Sequence, residues 1–310
     1  MFQKLSVIPA VAVCLAAFNG KRWLPEQLAS VLAQTGVSIT VFVSVDRSSD
    51  NTEAWFDQLA LTDSRVISLA HGESFGAASR NFFRMMREID FSEFDYISFA
   101  DQDDIWFPDK LLRAHQVLSA SGADAYSSNV IAFWTNDRRV FVQKSQQQVQ
   151  WDFLFEAAGP GCTYVLKKEL GGAIQRVLNE RWSEAKNIGL HDWFFYAFAR
   201  ANGYRWVIDD GAKMLYRQHE SNQVGINSGV KAFVKRACKV MSGWGFSQSA
   251  LIAVLIGLGD DPFVKLWSDG SRMGILKLAL HSCKCRRRRR DKLLFALSCI
   301  AFGLAGNHLQ

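Results

Sequence analysis

Strand-like and helix-like patterns alternate through the first hundred residues, and few folds accept that order. Val11–Ala17 is a continuous apolar run of strand length, and Trp23–Gln34 follows it with helical spacing. Ser38–Asp46 is β-branched and alternating, Asn51–Leu61 is helical, and Arg65–Ala70 is a short strand. Gly76–Glu88 is a helix with Phe82, Phe83 and Met86 on one side, and the strand Asp95–Ala100 runs straight into carboxylates. Strands separated by helical stretches of about 10–15 residues imply βαβ units and a mostly parallel sheet flanked by helices. Such sheets bind ligands beyond the carboxyl ends of their strands, which sets Asn19, Asp46 and the acidic cluster after Ala100 along one rim.

The chain has 310 residues, 49% of them hydrophobic, with mean hydropathy −0.02, so it has material for a substantial core. No apolar run reaches the roughly 18 residues of a spanning helix. Lys4 and the apolar stretch Val7–Phe18 resemble a signal peptide, but Pro9 interrupts them and a helix pattern with Asn19 and Gly20 as caps follows at once. The stretch therefore reads as a buried first strand. Six scattered cysteines without CxxC spacing argue against a zinc ribbon or a disulfide scaffold and fit a reducing compartment.

From Pro108 the pattern loosens. A helix at Pro108–Ser119, a strand at Ala125–Phe133, a Gln-rich turn at Gln143–Gln150, a strand at Cys162–Leu166 and a helix at Leu170–Leu178 lead to a helix opening at Asp192. Strands are expected near Tyr204–Ile208 and Lys213–Tyr216. This half looks α+β, as an acceptor-binding half would. From Lys231 on, 14 Lys and Arg face 4 Asp, a charge of +10, which leaves −4 of the total +6 to the first 230 residues. Apolar blocks Ala250–Leu258, Gly274–Leu280 and Leu293–Leu304 flank the run Arg286–Arg290, a composition suited to helices lying in an anionic membrane interface. The alternative is a packed helical appendage with a solvated charge run.

The strongest local signal is Asp101-Gln102-Asp103-Asp104, between a buried strand and the helix that starts at Pro108. Three carboxylates in four residues repel unless a cation neutralises them, and magnesium-type sites pair one or two carboxylates with substrate phosphates. A solvated helix-capping turn is the plainer account, but the cluster stands on the ligand rim. Asp50 with Glu53 reads as a helix cap, leaving Asp46 free to bond a base or ribose. Asp192 is either an acid placed at a helix N-terminus or a general base. His219 is either a core histidine or a ligand to metal or diphosphate. No GxxxxGK[ST], GxSxG or HExxH motif occurs, and the glycines form no dinucleotide fingerprint, which counts against kinases, serine hydrolases, zincins and dehydrogenases.

The runs VAVCLAAFNG, VSVDRSSDNT, FGAASRNF before SFADQDDIWFPDKL, and HDWFFYAFARANGYRWVIDDGAKMLYRQHESN resemble the bacterial family 2 glycosyltransferases, especially rhamnosyltransferase-like members of surface-polysaccharide or lipopolysaccharide assembly. The resemblance spans about residues 8–225. It implies a GT-A fold over 1–226, with a nucleotide-sugar half at 1–105 and an acceptor half at 106–226, before a basic helical, membrane-associating tail at 227–310. It also implies inverting transfer of one sugar from a dTDP- or UDP-sugar to a saccharide or lipid-linked acceptor, with Mn2+ or Mg2+, by a cytoplasmic protein peripheral to the inner face of the cytoplasmic membrane. By position, Asp46 contacts the nucleotide base, Arg80 and Gln102 lie near the donor with Asn19, Asp101 and Asp103 form the DxD metal pair with His219 as a further ligand, and Asp192 is the catalytic base.

Val45 and Arg47 stand where the family's DDGS pattern has Asp and Gly, and His191 replaces the usual Glu before the base. The processive QxxRW motif is absent, which favours single-sugar addition. Rival expectations are a nucleotidyltransferase on sugar phosphates and a catalytically silent membrane-surface scaffold. The arginines leave nucleic-acid binding without a supporting recognition pattern. Deletion after Asn227 is expected to release the protein from anionic membranes and spare the donor site.

Overall fold

The computed structural model describes residues 8–72, 74–219 and 243–305. Lys4, on which the signal-like reading depends, and the expected boundary at 226/227 lie outside the described residues. The first half forms β1 (Ala10–Ala17), α1 (Leu24–Leu32), β2 (Ser38–Val45), α2 (Thr52–Thr62), β3 (Val66–Ser68), α3 (Ala78–Glu88) and β4 (Tyr96–Asp101). Its strands lie in the order β3-β2-β1-β4, every pair parallel. β1 shows why a continuous apolar run is needed at the centre of such a sheet. Val11, Val13, Leu15 and Ala17 enter one core with Leu28 of α1 and Phe56 of α2, while Ala12, Cys14 and Ala16 enter another with Phe82, Phe83 and Met86 of α3.

The second half supplies β5 (Ile105–Trp106), α4 (Lys110–Ser121), β6 (Ala125–Phe133), β7 (Arg139–Val142), β8 (Val165–Lys167), α5 (Lys168–Glu180), α6 (Trp182–Ala185), α7 (His191–Ala201) and β9 (Trp206–Arg217). The sheet continues β4-β8-β6-β9-β5, with β7 paired to β6. β8 is antiparallel to β4 and β6, whereas β6 and β9 are parallel, so a mixed half is joined to a parallel one. The two strands expected after Tyr204 are one strand, β9. The polar Asp209–Gly211 stretch does not break it, because the register shifts opposite Ser128 and Asn129, and Asp209 is held by Arg113 at 2.8 Å and by the Tyr126 hydroxyl at 3.0 Å.

The described tail forms α8 (Trp244–Leu255), α9 (Pro262–Lys265), α10 (Arg272–Ala279), α11 (Ser282–Cys285) and α12 (Arg289–Ala305). Phe246, Ile252, Trp267, Ile275 and Phe302 enter the same core as α3 and α7. Trp267 is fully buried, 5.2 Å from the Phe155 ring, and the Trp151 amide donates to the Lys284 carbonyl at 2.8 Å. A chain ending near Asn227 loses this wall, so the expectation that the deletion spares the donor site does not fit the packing. No described helix is long and apolar enough to cross a membrane. Leu293, Leu297, Ile300 and Leu304 leave an exposed apolar row on α12. Trp267→Ala should destabilise the whole protein by about 3–5 kcal/mol. Chemical denaturation followed by far-ultraviolet circular dichroism checks it, and an unchanged midpoint would show the tail to be energetically separate.

Candidate active site

The carboxyl ends of β1, β2 and β4 open into a cleft of about 850 Å³, as the strand topology requires. Asn19, Asp46, Asp101, Gln102, Asp103 and Asp192 all line it. Asn19 has a left-handed backbone (φ 46°), and its side-chain oxygen accepts from the Ser49 amide at 2.7 Å, tying the end of β1 to the loop after β2. Gln102 straps the same region to the acidic turn: its Nε2 donates to the Phe18 carbonyl at 3.0 Å and its Oε1 accepts from the Phe18 amide at 2.8 Å.

Asp46 is not the free carboxylate expected. Its oxygens accept from the amides of Arg47 and Phe75 at 2.9 Å and of Gly76 at 2.8 Å, so it moulds the loop leading into α3 while still facing the cleft. Nor do Asp50 and Glu53 form a reciprocal cap. Asp50 accepts from the amides of Thr52 and Lys21, and Glu53 accepts from the Ser48 amide at 2.7 Å. Arg80 is not brought to the cleft. It is exposed, and its Nε donates to the Lys186 carbonyl at 3.1 Å, pinning α3 to the turn before α7.

The acidic turn is crowded and compensated from below. Arg217, at the end of β9, donates its amide to Asp104 at 3.0 Å and its Nε to the Asp103 carbonyl at 2.7 Å. Its guanidinium lies over Trp23 at 4.4 Å. Two residues on, His219 Nε2 meets Asp103 Oδ2 at 2.6 Å, and the imidazole stacks on Trp23. Asp104 is fully buried, with one carboxylate oxygen lacking a hydrogen bond. Lys110 is buried beneath, its ammonium 3.4 Å from the Trp106 ring centroid, and burial pushes it down to about 7. Burial, then the charges of Asp103 and Asp192, push Asp101 up to about 7, and burial drives Asp104 well above the carboxylate range. Oxygens of Asp101 and Asp104 and the Cys162 sulfur lie within 4.8 Å of one another. Burial keeps Cys162 a thiol, so the hard oxygen donors are the carboxylates. The orphaned Asp104 oxygen, and Asp101 and Asp104 raised first by burial and then by neighbouring carboxylates, fit a divalent cation.

Asp192, the second residue of α7, also lines the cleft, and its Oδ1 accepts from the Trp193 amide at 2.8 Å. Burial pushes its carboxyl up to about 6, the Trp193 hydrogen bond and Lys144 pulling the other way. Gly161 lets the α7 N-terminus approach, since a Cβ there would lie 2.5 Å from His191 Nε2. His191 packs 4.1 Å from the Phe82 ring and is driven down to about 3 by burial, so it is a neutral packing residue.

Lys144, Glu156 and Arg286–Arg288 also line the cleft and were not read as site residues from the sequence. The arginine run was legible as charge, yet nothing local tied it to Asp192.

Residues 12–168 match the model of the family described as Glycosyl transferase family 2. The chain is 42% identical, over 92% of its length and 99% of the relative's, to the dTDP-rhamnosyl transferase RfbG of Shigella flexneri. It is 29% identical, over 52% of its length and 61% of the relative's, to the UDP-Glc:alpha-D-GlcNAc-diphosphoundecaprenol beta-1,3-glucosyltransferase WfgD of Escherichia coli. Its fold is similar to that of S. aureus TarS 1–349 in complex with UDP (TM-score 0.54, 13% identity, 94% of this chain and 88% of that one). It is also similar to the mannosyltransferase PcManGT from Pyrobaculum calidifontis in complex with GDP-Man and Mn2+ (TM-score 0.55, 17% identity, 98% and 77%).

Proposed function

The chain belongs to glycosyl transferase family 2, and from that footing we propose that it moves one rhamnosyl group from dTDP-rhamnose to a hydroxyl of a saccharide or lipid-linked saccharide, inverting the anomeric centre, in surface-polysaccharide assembly. The observation that carries the reading is a single cleft lined by Asp101, Asp103 and a half-buried Asp192, with His219 held against Asp103. The name of the relative matched over nearly its whole length supports dTDP over UDP. Family membership favours glycosyl over nucleotidyl transfer and an enzyme over a silent scaffold.

The Asn19 and Asp46 loops form the nucleotide end of the cleft. Asp192 accepts the proton of the acceptor hydroxyl as that oxygen attacks the anomeric carbon from the face opposite the leaving group. The new C–O bond forms as the bond to the diphosphate oxygen breaks, so one displacement inverts the centre. A divalent cation, manganese or magnesium, held by Asp101 and Asp103 beside His219 would neutralise charge growing on the diphosphate. We further read α12, with its exposed leucines and with Arg289 and Arg290 at its start, as a face that rests on an anionic membrane, peripheral to the inner side of the cytoplasmic membrane.

Calorimetry should show dTDP-rhamnose binding with Mn2+ that disappears in EDTA and in Asp103→Ala, with UDP-sugars bound more weakly; preferential UDP-sugar binding would reassign the donor. Asp192→Asn should cut turnover about 10²–10⁴-fold with folding intact. Because the base works ionised, kcat/KM of the wild type should fall with pH through about 6 and level off above it. A flat acid limb in a pH–rate profile would remove Asp192 from the chemistry. Replacing Leu293 and Leu297 together by Asp should abolish co-sedimentation with phosphatidylglycerol vesicles, and retention would refute the membrane face.

A further inference from the structure

The basic run Arg286–Arg290 is divided by the fold. Arg289 and Arg290 are exposed at the start of α12, whereas Arg286, Arg287 and Arg288 line the cleft together with Lys144. Arg287 is set in place: its side chain is 2% exposed, its Nη2 donates to the Ala157 carbonyl at 2.6 Å, and it pairs with Glu156 at 3.5 Å and Asp152 at 3.7 Å. Its other guanidinium nitrogens, and Nε of Arg286, are buried without a hydrogen bond. Among the described residues, neither the Lys144 ammonium nor the Arg288 guanidinium has a hydrogen-bond or ion-pair partner.

The acids facing this group are Glu156, which is paired with Arg287, Asp291, which is 3.9 Å from Arg290, and Asp192. Burial, then the charges of Arg288 and Arg287, depress the Lys144 pKa, while Glu156 and Asp192 attract its charge. Lys144 thus stands within reach of Asp192, whereas neither Lys144 nor Arg288 is among the charges that act on Asp101 or Asp104. The first turn of α12, a 17-residue helix, also meets the cleft through Asp291, adding the positive end of its dipole. Two cations without an ion-pair partner among the described residues, held beside a third at a helix N-terminus, make a site for a phosphoryl dianion, which arginine binds through paired N–H donors.

We propose that Lys144 and Arg288, backed by Arg287, form an anion subsite on the acceptor side of Asp192 that grips a phosphate or diphosphate carried by the acceptor. The inference rests on the glycosyl-transfer reading above, because it is Asp192 as base that defines the acceptor side. The subsite would hold the acceptor by its charged group and leave its hydroxyl to Asp192.

Inorganic pyrophosphate is titrated calorimetrically into the full chain in EDTA, where metal-dependent donor binding is switched off. The wild type should bind it, the Lys144→Gln/Arg288→Gln double variant should bind it at least about tenfold more weakly, and Lys144→Arg/Arg288→Lys should restore binding. Thermal melts establish that each variant is folded, and Arg288→Gln alone is the fallback if the double variant is not. dTDP affinity with Mn2+ should be unchanged in all of them. Absent pyrophosphate binding, or binding indifferent to the double variant, overturns the subsite. A parallel loss of dTDP affinity overturns it too, by assigning the cations to the donor's diphosphate. Failure of dTDP to bind the wild type would instead sink the donor reading, since the pyrophosphate arm contains no donor.

Discussion

Carboxylate crowding at the end of β4 is the constraint around which the cleft is built. Burial opposes ionising Asp101 and Asp104 beside Asp103, and each neighbouring element brings something that lowers the cost. β9 ends in Arg217 and His219, α4 begins with a buried Lys110, and α1 is preceded by Trp23, whose ring lies under both Arg217 and His219. Coulomb repulsion among acids a few ångströms apart amounts to several kcal/mol at an effective dielectric of about 20, so these partners decide whether the turn holds its shape at all. The course of β9 between β6 and β5 serves this, since its last residues reach back over a turn more than a hundred positions earlier.

A second buried charge does the corresponding task on the other side. Asp152 is fully buried and accepts from the Tyr196 hydroxyl at 2.8 Å and from Arg200 at 3.0 Å, with Arg287 3.7 Å away. Removing one partner of such a network typically costs about 3–5 kcal/mol, because the remaining charge is stranded in the interior. Asp152 thus couples α7, whose first turn carries Asp192, to the segment that precedes α12. The acidic turn and this cluster both border one cleft, through Asp101 and Asp103 and through Arg287, and each pairs charge with charge from distant sequence.

What could be read from the sequence was what local periodicity encodes. β1, β2, β4 and the helices between them are signalled by burial patterns that depend only on near neighbours, and the loop residues Asn19, Asp46 and Asp101–Asp103 follow from strand ends. The two-residue β5 has no period to detect and exists because β9 pairs with it. Asp46 looked free because its partners, the amides of Phe75 and Gly76, lie across a βα crossover. Arg80 shares a helix with cleft-lining Ser79 but lies on another side, where it meets Lys186. Arg287 was invisible as a cleft residue for the same reason: five arginines in a row carry charge but no information about which of them turns inward.

The Asp152–Arg287 pairing also bears on the order in which the molecule is made. A ribosome releases the β1–β4 half and even α7 well before residues 286–288 exist, so the nascent chain exposes the Asp152 carboxylate and the apolar wall that Trp267 later covers. Closure of the cleft is then a late, long-range event, of the kind that slows folding and leaves intermediates prone to association. Premature termination within the tail would yield no partly active enzyme, only a chain whose largest unfinished surface borders its own active site.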